Sequence, residues 1–268
     1  MELNLLTLNV HGWAEEDQLK KIDILAEAIA QNRYDIIAMQ EVNQPKDKPF
    51  IDKTNTIREG NYGLALLSAL EKKGMTDYTL EWAFSHYSFG IYEEGVAFLT
   101  RHSVKAKEQF FISKNKVAEN YKTRVIQKLT LAIAEKEIDV FTCHLGWWHD
   151  EEDPAEQQLQ ALLKEVDTRS TSFLMGDFNN DASLAGEGYD YLLKHGLKDT
   201  WNLATKRSGE ATIRGKIAGW NNNRGDLRID YIFAQGNIDV PSHHVIFDGE
   251  NRPVVSDHFG VECTVTLK

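Results

Sequence analysis

The sequence predicts an α/β protein in which two mixed β-sheets pack face to face with helices outside. Three observations predict it. A strand–helix–strand unit opens the chain, five strand-like runs follow one another in its middle, and a second strand–helix–strand unit comes after them. With 268 residues, the whole chain from 1 to 268 is expected to form a single domain with a full hydrophobic core.

Leu3 to Val10 alternates and reads as a buried strand ending at Asn9. From Asp17 a helical period appears, with Leu19, Ile22, Leu25 and Ile29 three or four apart. Asp35 to Glu41 is a short apolar strand ending on a carboxylate. Such a crossover places the two strands in one sheet, finishing at the same end, which brings Asn9 and Glu41 to one edge. Residues 43 to 61 are rich in Asn, Asp, Lys, Gly and Pro and predict a long surface loop. Tyr62 to Lys73 reads as a helix stopped by Gly74. Strands are predicted at Tyr78 to Phe84, Gly95 to Thr100, Lys105 to Ile112, Thr123 to Ala134 and Glu137 to His144. Without helices between them they form antiparallel hairpins.

Pro154 to Asp167 predicts a helix with Leu159, Leu162, Leu163 and Val166 on one face. The run Phe173-Leu174-Met175-Gly176 follows as a buried strand whose glycine marks close packing at its end. Asp177 and Asn179 lie two apart, so an extended chain projects them the same way; an Asx-turn after the strand is the alternative. Tyr189 to His195 predicts a short helix capped by Gly196. Asn202 to Asp226 is polar and glycine-rich and reads as a long loop. Arg228 to Ala234 and Gly260 to Leu267 are the last predicted strands.

Composition narrows the function. The net charge of −11 supplies no global attraction to nucleic acid or an anionic membrane, although a local basic patch stays open. No stretch of about eighteen apolar residues occurs, and the start of the sequence does not read as a secretory signal. Cys143 and Cys263 have no metal-site spacing and are expected as free buried thiols in a reducing cytoplasm.

The chemistry is carried by polar residues at the ends of apolar runs: Asn9, Glu41, His144, Asp177 with Asn179, and Asp257 with His258. Asp230 lies inside the apolar run Arg228 to Phe233. Burying its carboxylate is costly unless paired, and a histidine is its natural partner. Oxygen donors of this kind suit Mg²⁺, with Mn²⁺ as a substitute, while an Asp/Asn pair can position water for in-line attack on a phosphoryl group.

In the order Leu-Asn-Val, Gln-Glu-Val, His-Leu, Gly-Asp-Phe-Asn, Ile-Asp-Tyr-Ile and Ser-Asp-His, the chain resembles the endonuclease/exonuclease/phosphatase superfamily along nearly its whole length. The resemblance implies a four-layered α/β sandwich and a metal-dependent phosphoric ester hydrolase. It implies Glu41 as principal Mg²⁺ ligand, with Asn9 and Asp257 helping to hold the metal or its waters. Asp177 and Asn179 would contact the attacking water and the phosphoryl group. His258, oriented by Asp230, would be general base or phosphate ligand. His144 would contact phosphate or protonate the leaving group, and Glu94 resembles the nuclease-branch carboxylate that pairs with it. Arg124 stands where that branch places a phosphate-binding arginine, an exposed strand arginine being the alternative. At position 11 this chain has His where the abasic-site nucleases carry Asp; His11 is open to three readings, a metal ligand, a phosphate ligand or a turn residue, of which the turn residue is preferred.

Substrate choice falls to loops. Trp13, Trp147, Trp148, Trp201 and Trp220, with Asn221 to Asn223 and Arg224, suit a sugar ring, so Trp147, Trp148 and Trp220 are expected at the substrate. The opening Leu-Thr-Leu-Asn-Val-His-Gly-Trp is similar to the bacterial maltose 6'-phosphate phosphatase branch. A cytoplasmic sugar-phosphate phosphatase acting on a small phosphate ester is therefore expected. A nuclease using Lys105, Lys107, Lys114, Lys116, Lys122 and Arg124 is the runner-up, ahead of a lipid-headgroup phosphodiesterase or a non-catalytic binding protein.

Overall fold

The computed structural model describes residues 1–54 and 56–268; Asn55, inside the predicted 43–61 loop, lies outside the described residues. The chain opens with β1 (Glu2–Asn9), α1 (Gln18–Asn32), β2 (Ile36–Gln40), the short β3 (Gln44–Pro45) and α2 (Tyr62–Lys72). Next come β4 (Thr79–Ser88), β5 (Tyr92–Thr100), β6 (Ser103–Phe111), β7 (Val125–Ile133) and β8 (Lys136–His144). Then α3 (Ala155–Lys164), β9 (Ser172–Asp177), α4 (Gly188–Lys194), β10 (Lys198–Asp199), α5 (Thr200–Leu203) and β11 (Ala204–Ser208) follow. The chain finishes with β12 (Ile213–Arg214), β13 (Asp226–Leu227), β14 (Asp230–Gln235), β15 (Ile238–Ile246) and β16 (Gly260–Leu267).

One sheet runs β11-β15-β16-β1-β2-β5-β3, with β4 also paired to β5; the other runs β10-β14-β9-β8-β7-β6. Both predicted crossovers are present, since β1 pairs with β2 and β8 with β9 in parallel. The hairpins β4–β5, β6–β7 and β7–β8 are antiparallel as expected.

Period-two alternation sorts the side chains into three large cores, beside a small cluster of Ala83, Val96 and Val125. Leu3 and Leu5 of β1 face Val140, Phe173 and Ile232 across the gap between the sheets. Leu6 and Leu8 point the other way, onto Ile22, Leu25 and Ile29 of α1 and Leu66 of α2. Outside the second sheet, Phe141, Leu174 and Phe233 pack on Leu159 of α3 and Leu192 of α4. The layers are therefore helix, sheet, sheet and helix.

Two expectations are corrected, and one long strand was missed. Leu19 is exposed, and Gln18 takes its place on the buried face of α1. The Asn202 to Asp226 stretch is not all loop, because β11 adds an edge strand parallel to β15 and β12 pairs with β13. The strand β15 was not foreseen: Pro241 argues against a strand, yet it sits at a register shift between Asp239 and Ser242 where no ladder bond is required of it.

Candidate active site

The rule that fills the inter-sheet core also gathers the polar residues. Asn9 shares the parity of Leu3 and Leu5, His144 that of Ile138 and Val140, Asp177 that of Phe173 and Met175, and Asp230 that of Ile232 and Ala234. Each apolar series thus ends in a polar side chain on the inner face, at one rim of the sandwich. Strand register then aligns them, with His144 beside Asp177 and Asp230 opposite Asp177. Beneath this rim, Gln40 Nε2 donates to Thr142 Oγ at 3.1 Å and links the two sheets. Gly176 permits the close strand contact: at φ +150° it has no Cβ, and one would stand 1.9 Å from the Cys143 carbonyl oxygen.

Asn9 Nδ2 donates to Glu41 Oε1 at 2.8 Å and to Asp177 Oδ2 at 3.2 Å. Glu41 follows β2 in a left-handed conformation, φ 53°, which takes it out of the strand's alternation. His144 Nε2 lies 3.9 Å from Glu41 Oε1 and 3.8 Å from Asp177 Oδ2. His258 approaches Asp177 Oδ2 from the other side with Nε2 at 3.7 Å, and its Nδ1 donates to Asp230 Oδ2 at 3.0 Å. The expected Asp230–His258 pair is present in this geometry.

Asn179 reaches the site as an Asx-turn residue rather than on an extended strand. Its backbone N–H donates to Asp177 Oδ1 at 2.9 Å, its φ is 51°, and Nδ2 donates to the Leu145 carbonyl at 2.9 Å. Trp220 Nε1 donates to Asn179 Oδ1 at 2.9 Å and so fixes which way the amide faces.

Burial sets the protonation states. Burial would lower His258, but the charges of Asp230 and Asp177 outweigh it and hold the imidazolium up to about 10. Burial raises Asp177 to about 7, against the opposing charge of His258 and with that of Asp230. His144 lies well below its ordinary range because it is buried and faces the positive charge of Arg124. Burial, then the charge of Glu41, pushes Glu94 up to about 8.

Glu94 pairs differently from the expectation. Its Oε1 lies 3.3 Å from His86 Nε2, so its histidine partner is His86 and not His144. A register shift between Phe84 and His86 sets His86 directly across from Glu94; unbroken alternation would have sent it to the helix side with Trp82 and Phe84. His86 Nδ1 donates to the Thr123 carbonyl at 3.1 Å, which leaves Nε2 as the acceptor in the neutral ring. Burial and then Arg124 lower His86 to about 3 and keep it neutral. His86 is a site residue that the sequence reading missed, because a bulge leaves no periodic signal.

These groups line a cavity of about 310 Å³ that includes Glu41, His86, Glu94, Arg124, His144, Asp177, Asn179 and His258. Its further wall is Tyr87, Ser88, Phe89, Tyr121, Trp147, Ala218 and Gly219. Arg124 is buried; Nη1 donates to the Tyr121 carbonyl at 2.7 Å, Nε has no partner among the described residues, and Cζ lies 6.0 Å from the Trp147 ring centre.

Of the predicted substrate tryptophans, Trp147 lines the cavity and Trp220 touches the site through Asn179. Trp148 does not reach it: the ring packs against Tyr191, 6.0 Å between centres. Trp13 is a loop anchor donating to the Gly60 carbonyl at 2.9 Å, and Trp201 packs on His243. Asn223 bonds its own loop at the Gly215 and Gly225 carbonyls.

His11 is a turn residue, φ 42°, with Nδ1 2.8 Å from Glu15 Oε1 and 3.7 Å from Asp257 Oδ1. Burial opposes its charge, but Glu15, Asp257 and Glu41 raise it to about 9. Asp257 therefore stands among His11, Glu15 and His258 rather than in direct bonding with Glu41; its backbone N–H donates to Glu15 Oε1 at 3.1 Å. The carboxylates suit a hard divalent cation: Glu41 and Asp177 offer oxygen on either side of Asn9 Nδ2, and Asp257 stands in a second group with His11 and Glu15.

The profile of the Endonuclease/Exonuclease/phosphatase family matches residues 6–258. A solved endonuclease/exonuclease/phosphatase family protein from Leptotrichia buccalis C-1013-b is 39% identical, covers 99% of this chain and 100% of its own, and superposes with a TM-score of 0.91. The mannosyl-6-phosphatase Bt3783 of Bacteroides thetaiotaomicron VPI-5482 is 18% identical, with a TM-score of 0.72 over 99% of this chain and 100% of its own. D. rerio TDP2 in complex with a single-strand DNA product is 15% identical, with a TM-score of 0.67 over 99% of both chains. At such identities the last two are alike in fold alone. A candidate neutral sphingomyelinase of Drosophila melanogaster is 36% identical over 55 residues, which is 20% of this chain and only 12% of that protein.

Proposed function

Because the chain belongs to the endonuclease/exonuclease/phosphatase family, whose members hydrolyse phosphoester bonds, we propose that its cleft releases phosphate from a small sugar phosphate, such as maltose 6'-phosphate, by in-line attack of water. We read residues 1–268 as one catalytic unit. The observation that carries the choice is the cavity: about 310 Å³ is the low end of small-molecule pockets, and an aromatic wall stands beside the phosphate-handling groups.

The family generally uses a divalent metal, and we assign Mg²⁺ to this site. Glu41 would hold it, with Asn9 and Asp257 holding its waters. When bound, it would supply positive charge to the phosphoryl oxygens. Asp177, raised to about 7, is poised to take the proton of the attacking water near neutral pH. Asn179, its amide fixed by Trp220, positions that water or a phosphoryl oxygen. His258, kept cationic by Asp230, and Arg124, with Nε unpartnered, face the phosphoryl negative charge. His144, kept neutral, lies between Glu41 and Asp177 and contacts the phosphoryl group rather than giving up a proton. Glu94 keeps its proton to about 8, lies 3.3 Å from His86, and is the acid that protonates the leaving oxygen. Trp147 packs against the sugar; Trp220 acts through Asn179.

The nuclease reading has the unpartnered edge of Arg124 in its favour, since it would serve a diester as well. Its basic track is weaker: Lys107 is paired with Glu81 at 2.7 Å, and Lys122 with Asp150 at 2.9 Å and Glu152 at 3.2 Å. No helix among the described residues is long and apolar enough to cross a membrane. Cys143 and Cys263 are free and buried, which supports a reducing cytoplasmic setting.

The test is phosphate release from a panel of sugar phosphates, nucleotides and DNA, with Mg²⁺ and with EDTA. Sugar phosphates should be the best substrates, and EDTA should abolish release. Efficient Mg²⁺-dependent DNA cutting beside negligible release from every sugar phosphate would overturn the proposal.

A further inference from the structure

The cavity's deep part and its mouth are built from different kinds of residue. His144, Asp177 and His258 in its depth are nearly inaccessible, whereas Phe89 is 64% exposed and Tyr121 59% exposed while lining the same cavity. Neither aromatic ring is needed there by the fold. Phe89 occupies the tip of the β4–β5 hairpin, where Ile91 N–H donates to the Ser88 carbonyl at 3.3 Å. Phe89 and Gly90 have φ 48° and 72°, the pattern of a tight hairpin turn that favours Asn, Asp or Gly at both central positions. A phenylalanine there costs about 1–3 kcal/mol of backbone strain. It recovers little by burial, since the side chain is largely exposed and its ring stands edge-on to Tyr92 at 6.5 Å.

Tyr121 is carried by the 113–123 segment, and its position is held from two sides. Arg124 Nη1 binds its carbonyl at 2.7 Å, and Thr123 Oγ donates to the Val117 carbonyl at 2.7 Å within the same segment. Tyr87 N–H donates to the Ala118 carbonyl at 2.7 Å, which joins this segment to the strand that carries Phe89. Two open aromatic faces thus stand on supports tied to one another, and Arg124 connects Tyr121 to the phosphate end of the cavity.

We propose that Phe89 and Tyr121 form the binding rim for the group that carries the phosphate, a pyranose ring, and so determine substrate choice. The inference rests on the reading of the cleft as a sugar-phosphate phosphatase. A pyranose offers flat C–H faces for aromatic packing, with hydroxyls at its edge that stay solvated at an open mouth. A cavity of about 310 Å³ that must also hold the phosphoryl group leaves room for one or two such rings, the second outside the rim. An anionic polymer is a poor occupant, because the net charge of −11 gives it no overall attraction and Lys122, beside Tyr121, is already paired with Asp150 and Glu152.

Phe89→Ala, Tyr121→Ala and the double variant should be compared with wild type on glucose 6-phosphate, maltose 6'-phosphate and methyl phosphate. Exposed truncations of this kind should leave the thermal transition nearly in place. The double variant should raise KM for the best sugar phosphate at least ~10-fold while kcat falls less than ~3-fold, and its preference for that substrate over methyl phosphate should fall at least ~10-fold. Phe89→Trp, which keeps an aromatic face, should restore most of the KM. An unchanged KM in the double variant, with wild type active on sugar phosphates, would overturn the rim and leave the phosphatase reading standing. Wild type inactive on all sugar phosphates would remove both. If Phe89→Ala instead abolished co-sedimentation with phosphatidylcholine vesicles at unchanged KM, the hairpin would serve a lipid surface and the proposal would be overturned.

Discussion

Replacing Asp230 with Asn tests the electrostatic core of the proposed mechanism. Asp230 and His258 are both buried, and His258 Nδ1 lies 3.0 Å from Oδ2 and 3.2 Å from Oδ1. Unit charges about 4 Å apart interact by about 4 kcal/mol at an effective dielectric constant of 20. Removing one charge therefore withdraws about 3–4 kcal/mol of support from the imidazolium that faces the phosphoryl group. Each 1.36 kcal/mol of barrier is a factor of ten, so kcat should fall ~10²- to 10³-fold. An asparagine amide that turned its NH₂ toward Nδ1 would also move the ring proton to Nε2 and add to the loss. KM should change far less, since the sugar rim is untouched. The assay is steady-state phosphate release with Mg²⁺ on the best sugar phosphate, with circular dichroism and thermal melting to establish that the variant is folded. A folded Asp230→Asn enzyme within about threefold of wild-type kcat would refute the assignment of His258 as a charged phosphate ligand held by Asp230.

Other outcomes follow from the same geometry. His258→Ala should cost at least ~100-fold in kcat, while His11→Ala, whose ring is bonded to Glu15 rather than aimed at the cavity, should cost less than ~10-fold; equal losses in steady-state assays would show that His11 has been misread. Gly176→Ala should destabilise by about 3 kcal/mol or more in urea melts, because its Cβ would collide with the Cys143 carbonyl between two paired strands; a change below ~1 kcal/mol would contradict this packing. His243 is buried beside Thr200 Oγ at 3.0 Å, and burial, then Arg228, lowers it to about 3. The unfolded imidazole titrates near 6.5, so between these values the unfolded chain binds the extra proton and stability falls as pH falls, by up to about 1.4 kcal/mol per pH unit. His243→Gln should make the dependence of unfolding free energy on pH shallower from 6.5 to 4, and an unchanged slope would show that His243 is protonated in the fold.

The sequence by itself determined the plan of two facing sheets with helices outside, and where most of the cleft's polar residues stand, because both depend on local periodicity. Apolar residues alternating along β1, β8, β9 and β14 choose the inner face, and the polar residue that ends each series must share that face. Asn9, His144, Asp177 and Asp230 were legible for this reason. The two crossover helices were legible as well, since their apolar spacing and glycine or polar stops are properties of short segments. Tertiary structure alone decided the positions where the backbone leaves its period. Glu41 turns out of β2 at φ 53°, Asn179 closes an Asx-turn, and a bulge brings His86 to Glu94 in place of His144. The same holds for β15, whose Pro241 is accommodated only because the ladder slips there, and for the tryptophans, of which Trp147 lines the cavity and Trp148 turns to Tyr191. A residue type can state what chemistry is available, but loop side chains and bulged strands take their direction from contacts distant in sequence, and no local pattern encodes those.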